Sequence, residues 1–163
     1  MEDKINSFFK GAGSALRSFT DGVKKNIVDI QVDTVVNAIN SMNIRKTIYT
    51  TEKKVEDFVC AELDSTIGKA HSQYNIGGYL GLRVDIDLGD GQVGIELKLA
   101  KELSAANNIE RLFGQVIYYS KRVYKDKLIV VVVGTDKEYT QIIREVEKFI
   151  TEIGVTFVYK RIQ

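Results

Sequence analysis

Apolar residues recur at helical spacing through the first third of the chain. Ile5, Phe8, Phe9, Ala12, Ala15, Leu16 and Phe19 fall three and four residues apart, and Val23, Ile27, Ile30, Val35, Val36 and Ile39 resume the pattern after Thr20-Asp21-Gly22. The spacing predicts helix over residues 4–44 with a break near Gly22. Another helix is expected from about Thr51 to Ile67, with Val55, Phe58, Val59 and Leu63 on one face, Thr51 as its cap and Glu52 in its first turn. The period then changes to two. Leu82, Val84, Ile86 and Leu88 alternate with Arg83, Asp85 and Asp87, and beyond Gly89-Asp90-Gly91 the apolar Val93, Ile95, Leu97 and Leu99 alternate with Gly94, Glu96 and Lys98. Asp-Gly between two alternating runs predicts a β-hairpin. A long helix is expected over residues 105–124, burying Ile109, Leu112, Phe113, Val116, Ile117 and Val123. Leu128 to Val133 is unbroken apolar sequence and reads as a strand buried on both faces. A helix over 137–152, stopped at Gly154, and a strand over 155–159 complete the pattern. The order predicts an α/β fold, a mixed sheet with helices on its faces.

The hairpin fixes a register. With Asp90-Gly91 as a two-residue turn, Leu88 faces Val93, Ile86 faces Ile95, Val84 faces Leu97 and Leu82 faces Leu99. Every apolar residue meets an apolar partner, whereas a slip of one residue mixes the faces. On the opposite face Asp85 then stands across from Glu96, Arg83 from Lys98 and Asp87 from Gly94. Like charges directly opposed, with Cβ atoms about 5 Å apart, destabilise a sheet. Two carboxylates so placed share a proton or share a cation. Oxygen ligands without a nearby histidine or cysteine favour a hard cation such as Mg2+. Lys98 lies on the same face as Glu96, two residues on. Two carboxylates, a divalent cation and an ammonium group suit phosphodiester hydrolysis by metal-activated water. The plainer alternative is a solvated sheet face of mixed charge.

Composition narrows the field. The 163 residues fit one domain with a modest appendage, and 44% hydrophobic with 28% charged residues is an ordinary globular balance. One cysteine makes no internal disulfide or cysteine zinc site, and one histidine makes no histidine cluster. No apolar run is long enough to span a bilayer, and the start Met1-Glu2-Asp3-Lys4 lacks the pattern of a secretory signal, so a cytoplasmic location without membrane contact is expected. Net charge is +1, but it is unevenly spread: residues 47–97 carry a net −5 and residues 98–127 a net +4. An acidic block beside a basic one can hold a metal next to a phosphate backbone. On the helix over 105–124, Arg111, Gln115, Tyr119 and Arg122 form a stripe away from the apolar residues. Lys101, Arg111, Lys121 and Arg122 are the candidate phosphate-binding residues. His71 reads as a loop residue, Cys60 as helix packing, and Gly77-Gly78 with Gly81 as a bend into the sheet.

Asp85, then Glu96-Leu97-Lys98, then Gly-Gln-Val-Ile-Tyr-Tyr over 114–119 resembles the PD-(D/E)XK nuclease superfamily, in its branch with Q-x-x-x-Y on the helix after the E-x-K strand. The proline of that motif is Val84 here. The resemblance covers about residues 50–160 and implies a restriction-endonuclease-like core over 47–163, with residues 1–46 as a helical appendage. It implies Mg2+, with Mn2+ as a substitute, bound by Asp85 and Glu96, and Lys98 serving the attacking water. It further implies that Gln115 orients the site with Tyr119 behind it, and that Glu56, or second Glu52, adds a carboxylate from the first core helix. The expected activity is cleavage of nucleic acid, DNA ahead of RNA. The alternative is a non-catalytic nucleic-acid-binding module on the same fold. The N-terminal helices are expected to serve core packing or a homodimer surface rather than a membrane surface.

Overall fold

The computed structural model describes residues 28–163. Four α-helices and five strands follow in the order α1 (Val32–Ser41), α2 (Glu52–Thr66), β1 (Ala70–Asn75), β2 (Arg83–Leu88), β3 (Val93–Leu99), α3 (Ala106–Arg122), β4 (Leu128–Gly134), α4 (Gln141–Glu152) and β5 (Thr156–Arg161). The strands form one sheet in the order β1-β2-β3-β4-β5. β1, β2 and β3 are antiparallel neighbours, while β3, β4 and β5 run parallel. The parallel connections need long crossovers, which α3 and α4 supply. The result is the expected α/β fold with a mixed sheet between helices.

Two cores lie on the two sheet faces. Val35 and Ile39 of α1 and Val55, Val59 and Leu63 of α2 share one with Ile86, Leu88, Ile95, Leu97, Ile129, Val131 and Val133. Leu112, Val116 and Tyr119 of α3 and Ile143, Val146 and Ile150 of α4 share the other with Leu128, Val130 and Val132. Every residue of β4 is buried, and alternate residues feed opposite cores. That explains its unbroken apolar run.

Several boundaries differ from the sequence pattern, each for a local reason. The expected helix over 4–44 is helical in its described part only from Val32 to Ser41. Gln31 caps it in extended conformation, and the Ile30 N–H donates to Gln92 Oε1 at 2.8 Å. Residues 4–27 of that expectation, and most of the homodimer surface built on it, lie outside the described residues. Ile30, Val35, Ile39, Met42 and Ile44 pack with α2 and the sheet, so no gap in packing falls at residue 46. β1, read as loop, is an edge strand whose only large apolar residue is Tyr74, and His71 sits on it opposite Asp87. His71 Nε2 lies 3.4 Å from Asp90 Oδ1 at the surface. The hairpin turn is a four-residue loop, Gly89 to Gln92, but the register is as expected where the strands pair. α4 begins at Gln141 rather than 137, because Thr135 and Glu138 close a capping box around a separate short turn. Ile117, expected inside, is 43% exposed.

Candidate active site

The hairpin forks. β2 and β3 pair only where Ile86, Asp87 and Leu88 meet Ile95, Gly94 and Val93. Asp85 is next in register across from Glu96, but its side chain rather than its backbone meets β3: Oδ2 accepts the Leu97 N–H at 2.8 Å. A carboxylate thus takes a place in the ladder that a carbonyl would hold. Beyond it Val84 packs in the second core while Leu97 stays in the first, so the expected Val84–Leu97 and Leu82–Leu99 contacts do not form, nor does a paired Arg83–Lys98 rung. On the other flank Gln73 of β1 stands opposite Asp85, at a φ of 51°. A non-glycine residue rarely adopts this left-handed conformation, and such strain gathers at working sites. Gln73 Nε2 donates to Glu56 Oε2 at 2.9 Å and to Asp85 Oδ1 at 3.4 Å.

A cleft of about 470 Å³ opens at the fork. Asp85 and Lys98 line it from the strands, Glu52 from α2, Gln73 from β1, and Arg111 and Gln115 from α3. Lys98 Nζ sits among acids, 3.1 Å from Glu52 Oε1, 3.3 Å from Asp85 Oδ2 and 3.1 Å from Glu96 Oε1, and it donates to the Leu97 carbonyl at 2.8 Å. Glu96 is fully buried, and neither of its oxygens has a hydrogen-bond partner among the described residues. The contact with Lys98 is close enough for charge attraction but off the hydrogen-bonding direction.

The electrostatics follow from burial. Loss of water pushes the Glu96 carboxyl up to about 8 despite Lys98, with the Asp85 and Glu52 charges adding to the rise. Burial likewise pushes Glu52 up to about 7, again against the pull of Lys98. Burial works against the Lys98 ammonium, but Glu96, Asp85 and Glu52 together hold its pKa above the ordinary lysine value. Tyr119 is raised by burial and by the charge of Glu96.

The expected site residues separate into two groups. Asp85, Glu96, Lys98 and Gln115 converge. Gln115 Oε1 is itself buried without a partner among the described residues. Tyr119 is not on a wet stripe: its ring is buried in the second core, and its hydroxyl donates to the Arg83 carbonyl at 2.9 Å. Glu56 is buried with both oxygens engaged, by Lys53 and Gln73, so it reaches Asp85 through Gln73, whereas Glu52 lines the cleft. Of the four candidate phosphate-binding residues only Arg111 lines the cleft. Lys101 donates to the Thr50 carbonyl at 3.1 Å and lies over the Tyr49 ring. Lys121 and Arg122 are exposed in the last turn of α3, about 16 Å along the helix from Arg111. Gln73 and Arg83 also line the cleft, and no periodic signal in the sequence marks Gln73.

Among the described residues no group of three or more His, Cys, Asp or Glu side chains is arranged to hold a metal ion. The donors nevertheless suit Mg2+, which usually takes one or two protein carboxylates and completes its shell with water and substrate oxygens. Two orphaned oxygens on a buried glutamate beside Asp85 are the feature a hard cation would satisfy. Comparison with family models, curated proteins and solved structures finds no match to this chain.

Proposed function

We propose that the chain is a metal-dependent nuclease that hydrolyses phosphodiester bonds, DNA ahead of RNA, on a restriction-endonuclease-like core. What supports this most is the Glu96 carboxyl group: fully buried, without a hydrogen bond, held only by the charge of Lys98, and next to Asp85 where two strands part into a cleft. A buried carboxyl group that lacks hydrogen bonds and shares one cation with two other acids is costly, and such arrangements gather at functional sites. Asp85 and Glu96 are the residues to hold Mg2+, with Glu52 beside them. When bound, the ion supplies Lewis acidity at the phosphate and a water acidified for attack.

The chain's own groups do the rest. The Leu97 N–H and Gln73 hold Asp85 in place. Lys98, kept charged by three acids, offers an ammonium where negative charge builds on the reacting phosphate. Arg111 and Arg83 on the cleft walls attract the backbone, and Gln115 presents an unused acceptor for orienting the substrate or a water. Tyr119 fixes the rim by holding the Arg83 carbonyl.

The test is digestion of supercoiled plasmid and linear DNA by the full chain in Mg2+, Mn2+ or chelator. Cleavage is expected only with a metal, and Asp85→Asn and Lys98→Ala should each slow it roughly a hundredfold or more. DNA binding in Ca2+ should change little for Lys98→Ala. Binding without cleavage under every condition would instead identify a non-catalytic nucleic-acid-binding module.

A further inference from the structure

Tyr79 is 111% exposed and Leu80 70%, and Tyr79 is the most exposed large apolar side chain among the described residues. Both lie on the short turn between β1 and β2. The turn is built, not slack: the Ile76 and Gly77 N–H groups both donate to the Leu82 carbonyl, at 2.9 and 3.2 Å, and the Leu80 N–H to the Gly77 carbonyl at 2.9 Å. A Cβ at Gly77 would stand 2.6 Å from that of Leu82, so the close approach of the two arms requires glycine. Leu82 is partly buried against the second core, which anchors the turn. Gly81, Leu82 and Arg83 form part of the cleft wall. Tyr79 is two residues from Gly81, so its backbone lies within about 7 Å of that wall.

Apolar side chains held out at the rim of a cleft whose wall carries Arg83 and Arg111, beside Glu52, Asp85 and Glu102 and the acid-ringed Lys98, fit a polyanion that also carries flat apolar faces and meets the acids through a bound cation. We infer that Tyr79 stacks on an unpaired base of the strand whose phosphate enters the cleft, with Leu80 flanking it. The inference rests on the nuclease reading and narrows its substrate to single-stranded or frayed nucleic acid. Within a blunt duplex the base faces are already stacked, and exposing one costs energy. A single strand offers its bases freely, and aromatic stacking tolerates any sequence.

The chain contains no tryptophan, so Tyr79→Trp would provide a single fluorescent reporter. The full chain is titrated in Ca2+, which holds cleavage off, with oligothymidylate of about 16 nucleotides, near the upper site size of a single-strand binding fold. An abasic phosphodeoxyribose strand and a blunt duplex of the same length are the controls. Oligothymidylate should quench the tryptophan, and the abasic strand should not. Tyr79→Ala should weaken oligothymidylate binding roughly tenfold while leaving abasic and duplex affinity within about twofold. Equal binding by Tyr79→Ala and wild type, or an equal loss for base-bearing and abasic strands, overturns the stacking role. A chain that binds none of the three polymers overturns the nuclease reading and this inference together. Metal-dependent cleavage that ignores Tyr79 overturns only the inference.

Discussion

At Lys98 a single ammonium faces Glu52, Asp85 and Glu96, all within 3.3 Å, so charge alone leaves two negative charges over when every acid is ionised. Protonation of Glu96 or arrival of a divalent cation relieves the excess. In chelator, Glu96→Gln should therefore melt at the same temperature as wild type or a few degrees higher, because a neutral amide replaces a charge that burial already disfavours. Wild type should gain stability when Mg2+ is added, as any ligand of the folded state confers, and Glu96→Gln should lose that gain. Thermal melts with and without Mg2+ check both. A large loss of stability for Glu96→Gln in chelator would show that Lys98 needs this charge as a structural partner.

Two elements carry separate predictions. Gly94 leaves space for the Tyr124 ring, which a Cβ there would approach to 2.4 Å, and the ring carries its hydroxyl to Asp87 Oδ1 at 2.6 Å. Gly94→Ala should cost about 1–3 kcal/mol by overpacking, read from urea unfolding. No change would mean that the ring moves freely. At the α1–β5 contact, Lys160 is 8% exposed and donates to the Asn40 carbonyl at 2.7 Å. Burial holds its pKa below 10.5, so the unfolded chain binds this proton more tightly than the folded one. Stability contributed by Lys160 must rise as pH climbs from the folded pKa towards 10.5. The advantage of Lys160→Met over wild type should thus shrink across that window, and a difference independent of pH would refute the burial argument. These elements also show what the pattern of residues could reveal. β3, β4 and the long helices were legible because their apolar periods are strong. β1 was not, because an exposed edge strand buries almost nothing and so leaves no period. Spacing alone puts Tyr119 on the wet stripe, yet a tyrosine can turn its ring inward and keep its hydroxyl bonded, as it does at Arg83. Asp85, Glu96 and Lys98 were legible through the paired register, but the fork was not, since a side chain entering the ladder leaves no mark on alternation.

For the whole molecule, the acidic and basic blocks separated along the chain meet at the fork, where Glu52, Asp85 and Glu96 surround Lys98, and Arg111 shares the cleft wall. Residues 30–44 belong to the same body. Removing residues 1–46 strips Ile30, Val35, Ile39, Met42 and Ile44 from the first core, at about 1.5–3 kcal/mol for each large aliphatic. That sum rivals the whole stability of a domain, so the shortened chain should lose its cooperative melt. Cooperative melting of the shorter chain would support a boundary at residue 46. Asp85 and Glu96 are the residues proposed to hold a divalent cation at the fork. The most direct test of this is titration of Mn2+ with the full chain, following the free-ion signal by electron paramagnetic resonance. Wild type should remove Mn2+ from solution saturably, and Asp85→Asn and Glu96→Gln should each abolish that binding. Equal Mn2+ uptake by wild type and both variants, or none by wild type, would contradict it.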